Sequence, residues 1–205
     1  MSSTLDAMRY TKRGGINNMT FRDKPQAFID DKDEGLSILL AGVQSGKTMA
    51  LLTKMVQVCT AEKPVEVGLG TMAMSLFPHN LWPKLLSLLP DMGGDVKTPA
   101  WSSGWAELEM PNGSMIYFFS YQSSPRINLG LEHWFWDLPP SYDIYTNEVD
   151  RRIVSGYPSM SLAMTPIIGN KATVQQRGEM WIYDKLAGIV NDGVPLRVYH
   201  DKGEQ

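Results

Sequence analysis

Residues 36 to 48 read LSILLAGVQSGKT, and the fold turns on this stretch. Leu36 to Ala41 is an unbroken apolar run, the pattern of a central strand covered on both faces. Residues 41 to 48, AGVQSGKT, match the phosphate-binding loop pattern with alanine in place of its first glycine. Thr48 to Thr60 (TMALLTKMVQVCT) then spaces Leu51, Leu52, Met55, Val56 and Val58 close to a helical repeat. Strand, glycine loop and helix in that order are the context that separates a working loop from a chance match in a glycine-containing turn. The residue types fit the chemistry. Gly42 and Gly46 let the backbone N–H groups of the intervening Val43, Gln44 and Ser45 turn inward around a phosphate. Lys47 reaches the β and γ oxygens, and the Thr48 hydroxyl is a Mg²⁺ ligand.

Outward from the loop, strand and helix signals alternate. Upstream, residues 1–35 read as a polar surface lead-in with one short helix near Pro25 to Ile29 and an acidic cluster, Asp30, Asp31, Asp33 and Glu34, closed by Gly35. Downstream, Val65 to Leu69 reads as a strand and Leu81 to Leu89 as a helix with Pro83 in its first turn. Trp105 to Met110 and Ser114 to Ser120 read as a hairpin around Asn112-Gly113. Leu131 to Trp136 is a strand, Tyr142 to Val154 a helix, Ser159 to Met164 a strand, Glu179 to Val190 a helix and Leu196 to Tyr199 a last strand. This alternation predicts an α/β fold with a mostly parallel central sheet flanked by helices. Residues 36–205 form its single domain.

Composition narrows the function. The 205 residues carry 19 Lys and Arg against 22 Asp and Glu, a net charge of −3, so no overall basic footprint announces a nucleic-acid partner. The first fifty residues hold seven basic and six acidic groups, residues 51–150 five and eleven, and residues 151–205 seven and five. No segment is a basic arm, and any DNA contact must be local. The single cysteine, Cys59, reads as a buried thiol in a reducing compartment. The first residues lack the apolar core of a secretory signal, and no window reaches the roughly 18 apolar residues of a membrane span. His79, His133 and His200 have no metal-ligand spacing with Cys59 or with one another.

The residues HWFWD at 133–137 end a strand on Asp137, 90 positions after Lys47, where a P-loop ATPase keeps the carboxylate that supports its metal. From Gly42 to about Tyr183 the chain resembles the ATPase domain of the large terminase subunit of tailed bacteriophages. The matching pieces are AGVQSGKT at 41–48, NGSMIYFFSYQ at 112–122, WFWDLPPSYDIYTNEVDRR at 134–152, LAMTPIIG at 162–169 and WIY at 181–183. The resemblance implies a RecA-like (ASCE) P-loop NTPase fold, ATP and Mg²⁺ as cofactors, and coupling of ATP hydrolysis to translocation of double-stranded DNA into a procapsid. It implies a ring of copies with a portal protein and a small terminase subunit as partners, in the host cytoplasm and transiently docked on the procapsid. It assigns triphosphate and Mg²⁺ to Lys47 and Thr48, metal support to Asp137, γ-phosphate sensing to Thr165 beside Pro166, and adenine reading to Gln26 in KPQAF. A lone Gln beside Pro also reads as an ordinary surface residue.

Two departures stand out. Aligning on Asp143-Ile144-Tyr145 puts Leu138 where the family has its catalytic glutamate, whereas aligning on Pro139-Pro140 slides Asp137 into that slot. The first needs no gap, and it leaves Glu148 as the nearest acid in sequence to serve as base. Secondly, the family's ribonuclease-H-like nuclease has no counterpart in the roughly twenty residues after Trp181. A split gene, a truncated frame or an ATPase partnered with a separate nuclease subunit each fits that ending.

Arg126 in SSPRINLG is the leading arginine-finger candidate, ahead of Arg151 and Arg152. With Gln at 44, where some terminases carry an arginine, a donor from the neighbouring subunit is expected. Surface solvation is the plain alternative. Phosphate-directed DNA contacts would fall to Arg9, Lys12 and Arg13 or to Lys171 and Arg177. The aromatic run Trp101, Trp105, Tyr117, Phe118, Phe119, Trp134 and Trp136 reads as core packing. Two other functions keep the same loop: a nucleotide-binding regulatory or structural module with little hydrolysis, and another P-loop NTPase such as a helicase or nucleotide kinase.

Overall fold

The computed structural model describes residues 20–89, 99, 101, 105–121, 131–150, 159–166, 181–190 and 192–201, with the side chains of 148–150 outside that description. Seven strands form one sheet: β1 (Gly35–Ala41), β2 (Glu66–Thr71), β3 (Trp105–Glu109), β4 (Met115–Ser120), β5 (His133–Asp137), β6 (Ser159–Met164) and β7 (Leu196–Asp201). Their order is β3-β4-β2-β5-β6-β1-β7. Every pairing is parallel except β3 with β4. The mostly parallel α/β sheet expected from the alternation of elements is therefore present, with one antiparallel edge strand.

Alternation along β1 explains its unbroken apolar run. Leu36 and Ile38 enter one core, Leu39 packs in the other, and both faces are covered. The first core lies beneath α1 (Asp23–Asp30), α2 (Lys47–Cys59) and α3 (Trp82–Leu88), and the second beneath α4 (Tyr142–Asp150) and α5 (Trp181–Leu186). A five-residue π-helical turn, Phe77–Leu81, feeds α3; the apolar periodicity of Leu81–Leu89 gives no sign of it. Among the aromatics, Trp134, Trp136, Phe118 and Phe119 are fully enclosed, as expected of core, but Trp105 on edge strand β3 is 48% exposed.

The expected hairpin closes through the loop Pro111–Gly113, with the Gly113 N–H donating to Met110 O (2.8 Å) and the Met110 N–H to Ser114 O (2.8 Å). Its turn docks on the end of α2. Asn112 Nδ2 donates to the carbonyls of Cys59 (2.8 Å) and Ala61 (3.1 Å), and Ser114 Oγ donates to Cys59 O (2.9 Å). These bonds satisfy carbonyls that a helix end otherwise leaves orphaned. Cys59 is buried, and burial pushes its thiol up to about 12.

The helix of the lead-in is more than surface. Phe28 and Ile29 of α1 are core residues, and α1 packs on α2 and β7. A buried polar cluster fastens it. Asp31 Oδ2 accepts from Ser37 Oγ (2.7 Å) and Arg197 Nε (2.8 Å), while Arg197 also donates to the backbone carbonyls of Asp33 and Glu34 (both 2.9 Å). Lys54, from the middle of α2 and 3% exposed, donates to Ser37 Oγ (3.4 Å) and lies 4.6 Å over the Phe28 ring. Burial pulls Asp31 upward, but the hydrogen bonds from Arg197, Ser37 and the Asp33 N–H, with the Lys54 charge, hold its carboxyl below the ordinary range. Burial drives Lys54 down to about 8, against the attraction of Asp31.

Candidate functional site

The loop between β1 and α2 is built for close backbone approach. Gly46 caps α2 at φ 83°, a left-handed conformation that costs glycine nothing. Gln44 takes φ 60° without that freedom, a strain of the kind stored where a loop must cup a ligand. A side chain at Gly42 would meet nothing within 4 Å, and Val43 at the tip is 76% exposed. Lys47 folds back over the loop, its Nζ donating to Gly42 O and to Ser45 Oγ (3.5 Å). Burial lowers the pKa of this ammonium, and the charge of Asp137 pulls it back up.

Chain order now brings the second half of the site into place. β6 lies between β1 and β5, and all three run parallel, so the loop after β1 and the residue ending β5 share one sheet edge. There Thr48 Oγ1 donates to Asp137 Oδ1 at 2.9 Å, joining residues 89 apart in sequence. Burial raises the pKa of Asp137, opposed by the Thr48 hydrogen bond and by the charges of Lys84 and Lys47. The hydroxyl and carboxylate suit Mg²⁺, a hard cation bound through one or two protein oxygens plus phosphates and water. No group of three or more His, Cys, Asp or Glu converges among the described residues, so the donor set is of this sparse kind.

Leu138 follows Asp137 at φ 82°, costing on the order of 1 kcal/mol or more for a branched side chain. Its backbone is pinned: the N–H donates to Ala163 O (3.0 Å), and its carbonyl accepts from the Tyr121 hydroxyl (2.8 Å), which also lies 3.0 Å from Gly70 O. Thr165 follows β6 at the same edge and is half-buried. Gln26 sits near the start of α1, its Nε2 donating to Asp30 Oδ1 (3.0 Å). The Arg22–Asp201 ion pair (3.4 Å) brings that end of α1 level with the end of β1, because Asp201 pairs with Ala41.

Of the other residues singled out in the sequence, only the backbone of Glu148 lies on a described element. Glu148 belongs to α4, whose Tyr145 packs with Trp136 and Trp181 in the second core, on the opposite side of the sheet from α2; its side chain is outside the described residues. So are Arg126, Arg151, Arg152 and the basic groups at 9, 12, 13, 171 and 177. Sequence reasoning passed over Thr71, the last residue of β2, which is fully buried beside the end of β5.

A parallel sheet with a phosphate loop after one strand, a carboxylate after the next strand but one, and helices on both faces is the P-loop NTPase fold of the RecA-like kind. Solved structures of large terminases share it. The large terminase of thermophilic bacteriophage D6E superposes with a TM-score of 0.60 at 18% identity, over 88% of this chain and 45% of that one. The same protein in complex with ADP gives 0.59 at 16% identity, over 88% and 45%. The large terminase ATPase domain of Thermus phage P74-26 gives 0.57 at 12% identity, over 90% of this chain and 82% of that domain. The chain thus spans a little under half the length of the D6E protein. No protein-family model and no curated protein matches it. No helix among the described residues is long and apolar enough to cross a membrane.

Proposed function

We propose that the chain is the ATPase motor domain of a viral DNA-packaging terminase, coupling ATP hydrolysis to translocation of double-stranded DNA into a procapsid. The observation that carries the reading is the 2.9 Å contact of Thr48 with Asp137 beneath an intact phosphate loop, on a fold held in common with large terminases. The D6E relative was solved with ADP, which supports nucleotide as the ligand of the corresponding loop here.

In this reading the N–H groups of residues 42–48 cradle the phosphates. Lys47 exchanges its contact with Gly42 O for the β and γ oxygens, regaining a charged partner that raises its depressed basicity. Thr48 and Asp137 hold Mg²⁺, which supplies charge neutralisation on the phosphates. Gln26, at the β7 side, reads adenine, and Thr165, between loop and Asp137, senses the terminal phosphate. Arg126 of a neighbouring copy in the ring supplies the positive charge for the transition state, and Glu148 is the candidate base. The DNA track, the portal protein, the small terminase subunit and a separate nuclease subunit complete the assembly in the host cytoplasm.

One observation favours a second reading, a nucleotide-binding module with little hydrolysis. The residue after Asp137 is Leu138, which has no proton to give or take, and loss of a positioned base costs roughly 10² to 10⁴ in rate. ATP affinity and turnover, with and without duplex DNA, separate the two. The motor reading expects binding that falls at least about tenfold in Lys47→Ala, the loss of a charge-assisted contact, together with turnover stimulated by DNA. Lys47-dependent binding with negligible turnover on DNA selects the module, and absence of nucleotide binding refutes both.

A further inference from the structure

Among the described residues, two that are not glycine hold a positive φ, Gln44 and Leu138. Gln44 belongs to the loop that cups the phosphates. Leu138 has no such ligand to answer to, and its conformation is harder to hold. The side chain is bulky, and Pro139 next in the chain presses its predecessor toward extended backbone. A residue kept so far from its preference persists only where the surrounding structure fixes it.

Tyr121 does the fixing, from the far side of the sheet. Strand alternation turns Phe135 and Asp137 toward the face covered by α2, where Thr48 meets the carboxylate, and Trp134 and Trp136 toward the opposite face. Tyr121 stands on that opposite face, packed with Phe119 against the second core. Its N–H donates to Thr71 O (2.9 Å), which carries the β4–β2 pairing one residue past Ser120. From there the ring crosses β2 over Gly70, where a Cβ would lie 2.7 Å from its Cε1 and from two ring atoms of Phe119. Glycine at 70 is what leaves room for the ring. The hydroxyl ends 2.8 Å from Leu138 O and 3.0 Å from Gly70 O. A phenol has one proton to donate, and the Leu138 carbonyl is the nearer. The Leu138 N–H donates to Ala163 O (3.0 Å), so the peptide groups on both sides of the Leu138 Cα are held, one by β6 and one by the residue that ends β4.

We propose that Tyr121 is a positioning residue for the nucleotide site: by holding the Leu138 carbonyl, it keeps Leu138 left-handed and so keeps the preceding carboxylate, that of Asp137, aimed at Thr48. It acts through the backbone and not by contact with nucleotide. The assignment rests on the nucleotide-binding reading above.

The test is the affinity of the full chain for a non-hydrolysable ATP analogue, with Mg²⁺ and with EDTA in its place, in wild type, Tyr121→Phe, Leu138→Gly and the double variant. Tyr121→Phe keeps the ring over Gly70 and removes only the hydroxyl. It is expected to weaken binding about fivefold with Mg²⁺, the worth of one net hydrogen bond, and less than about twofold in EDTA, where Lys47 and the loop carry the affinity. Glycine takes a positive φ without steric cost, so Leu138→Gly is expected to recover most of that loss in the Tyr121→Phe chain and to change wild-type affinity by less than about twofold. A tyrosine that merely packs would not be rescued from position 138. Equal losses with and without Mg²⁺, no loss at all, or a double variant no tighter than Tyr121→Phe would overturn the assignment. So would a Tyr121→Phe chain without a cooperative urea transition, since the hydroxyl would then hold the fold and not the site. If wild type binds the analogue through Lys47, and better with Mg²⁺, while Tyr121→Phe matches it, this inference alone fails; if wild type binds no nucleotide, the function falls with it.

Discussion

Lys54 and Cys59 lie five residues apart on the helix that presents Lys47 and Thr48, and their burial sets opposite pH dependences. Lys54 drops from an ordinary 10.5 to about 8. Between those values the unfolded chain holds a proton that the folded protein has released, so stability rises with pH. Cys59 climbs from 9.0 to about 12; there the unfolded chain has lost a proton that the folded protein keeps, and stability falls. From pH 7.5 to 9 the linkage relation gives a gain of about 1 kcal/mol from Lys54 and a loss of about 0.5 kcal/mol from Cys59. Tyr117 and Tyr199, both raised mainly by burial, add to the loss only at higher pH. Urea midpoints at pH 7.5 and 9 for wild type, Lys54→Met and Cys59→Ala resolve the two terms. Wild type should gain slightly, Cys59→Ala should gain about 1 kcal/mol, and Lys54→Met should lose about 0.5 kcal/mol. Parallel wild-type and Lys54→Met behaviour would refute the claim that α2 carries a desolvated lysine.

Two further substitutions probe what holds the site in position. In Gly35→Ala, at φ 98°, the new Cβ would lie 2.5 Å from Pro195 O, the carbonyl that accepts the Leu36 N–H; a loss of about 2 kcal/mol or more is expected in thermal melts, from strain and the broken β1–β7 seam. Asn112→Ala removes both amide contacts to the end of α2 and should cost about 1–2 kcal/mol by urea titration, with nucleotide affinity the control that separates stability from binding.

Much of this was readable from local pattern. LSILLAGVQSGKT carries strand, loop and helix in thirteen residues, and HWFWD announces a buried strand ending in a carboxylate. The pairing of Thr48 with Asp137 followed from the general need of a phosphate loop for a strand-ending carboxylate and from the resemblance, not from periodicity, because lateral strand order depends on contacts 89 residues apart. Lys54 reads in sequence as a solvated lysine on an amphipathic helix; its burial depends on Phe28, Asp31 and Ser37 folding around it. For the same reason the lead-in read as surface: Phe28 and Ile29 are two apolar residues in a polar stretch, and their partners lie on α2 and β7.

The docking of the hairpin turn on the end of α2 has a mechanical consequence. Thirteen residues give a rod of about 20 Å, gripped at one end by the phosphate loop and at the other by Asn112 and Ser114. A rod held at both ends passes a displacement along its length instead of absorbing it. A displacement of Lys47 and Thr48 would therefore reach the turn of the β3–β4 hairpin, at the edge of the sheet.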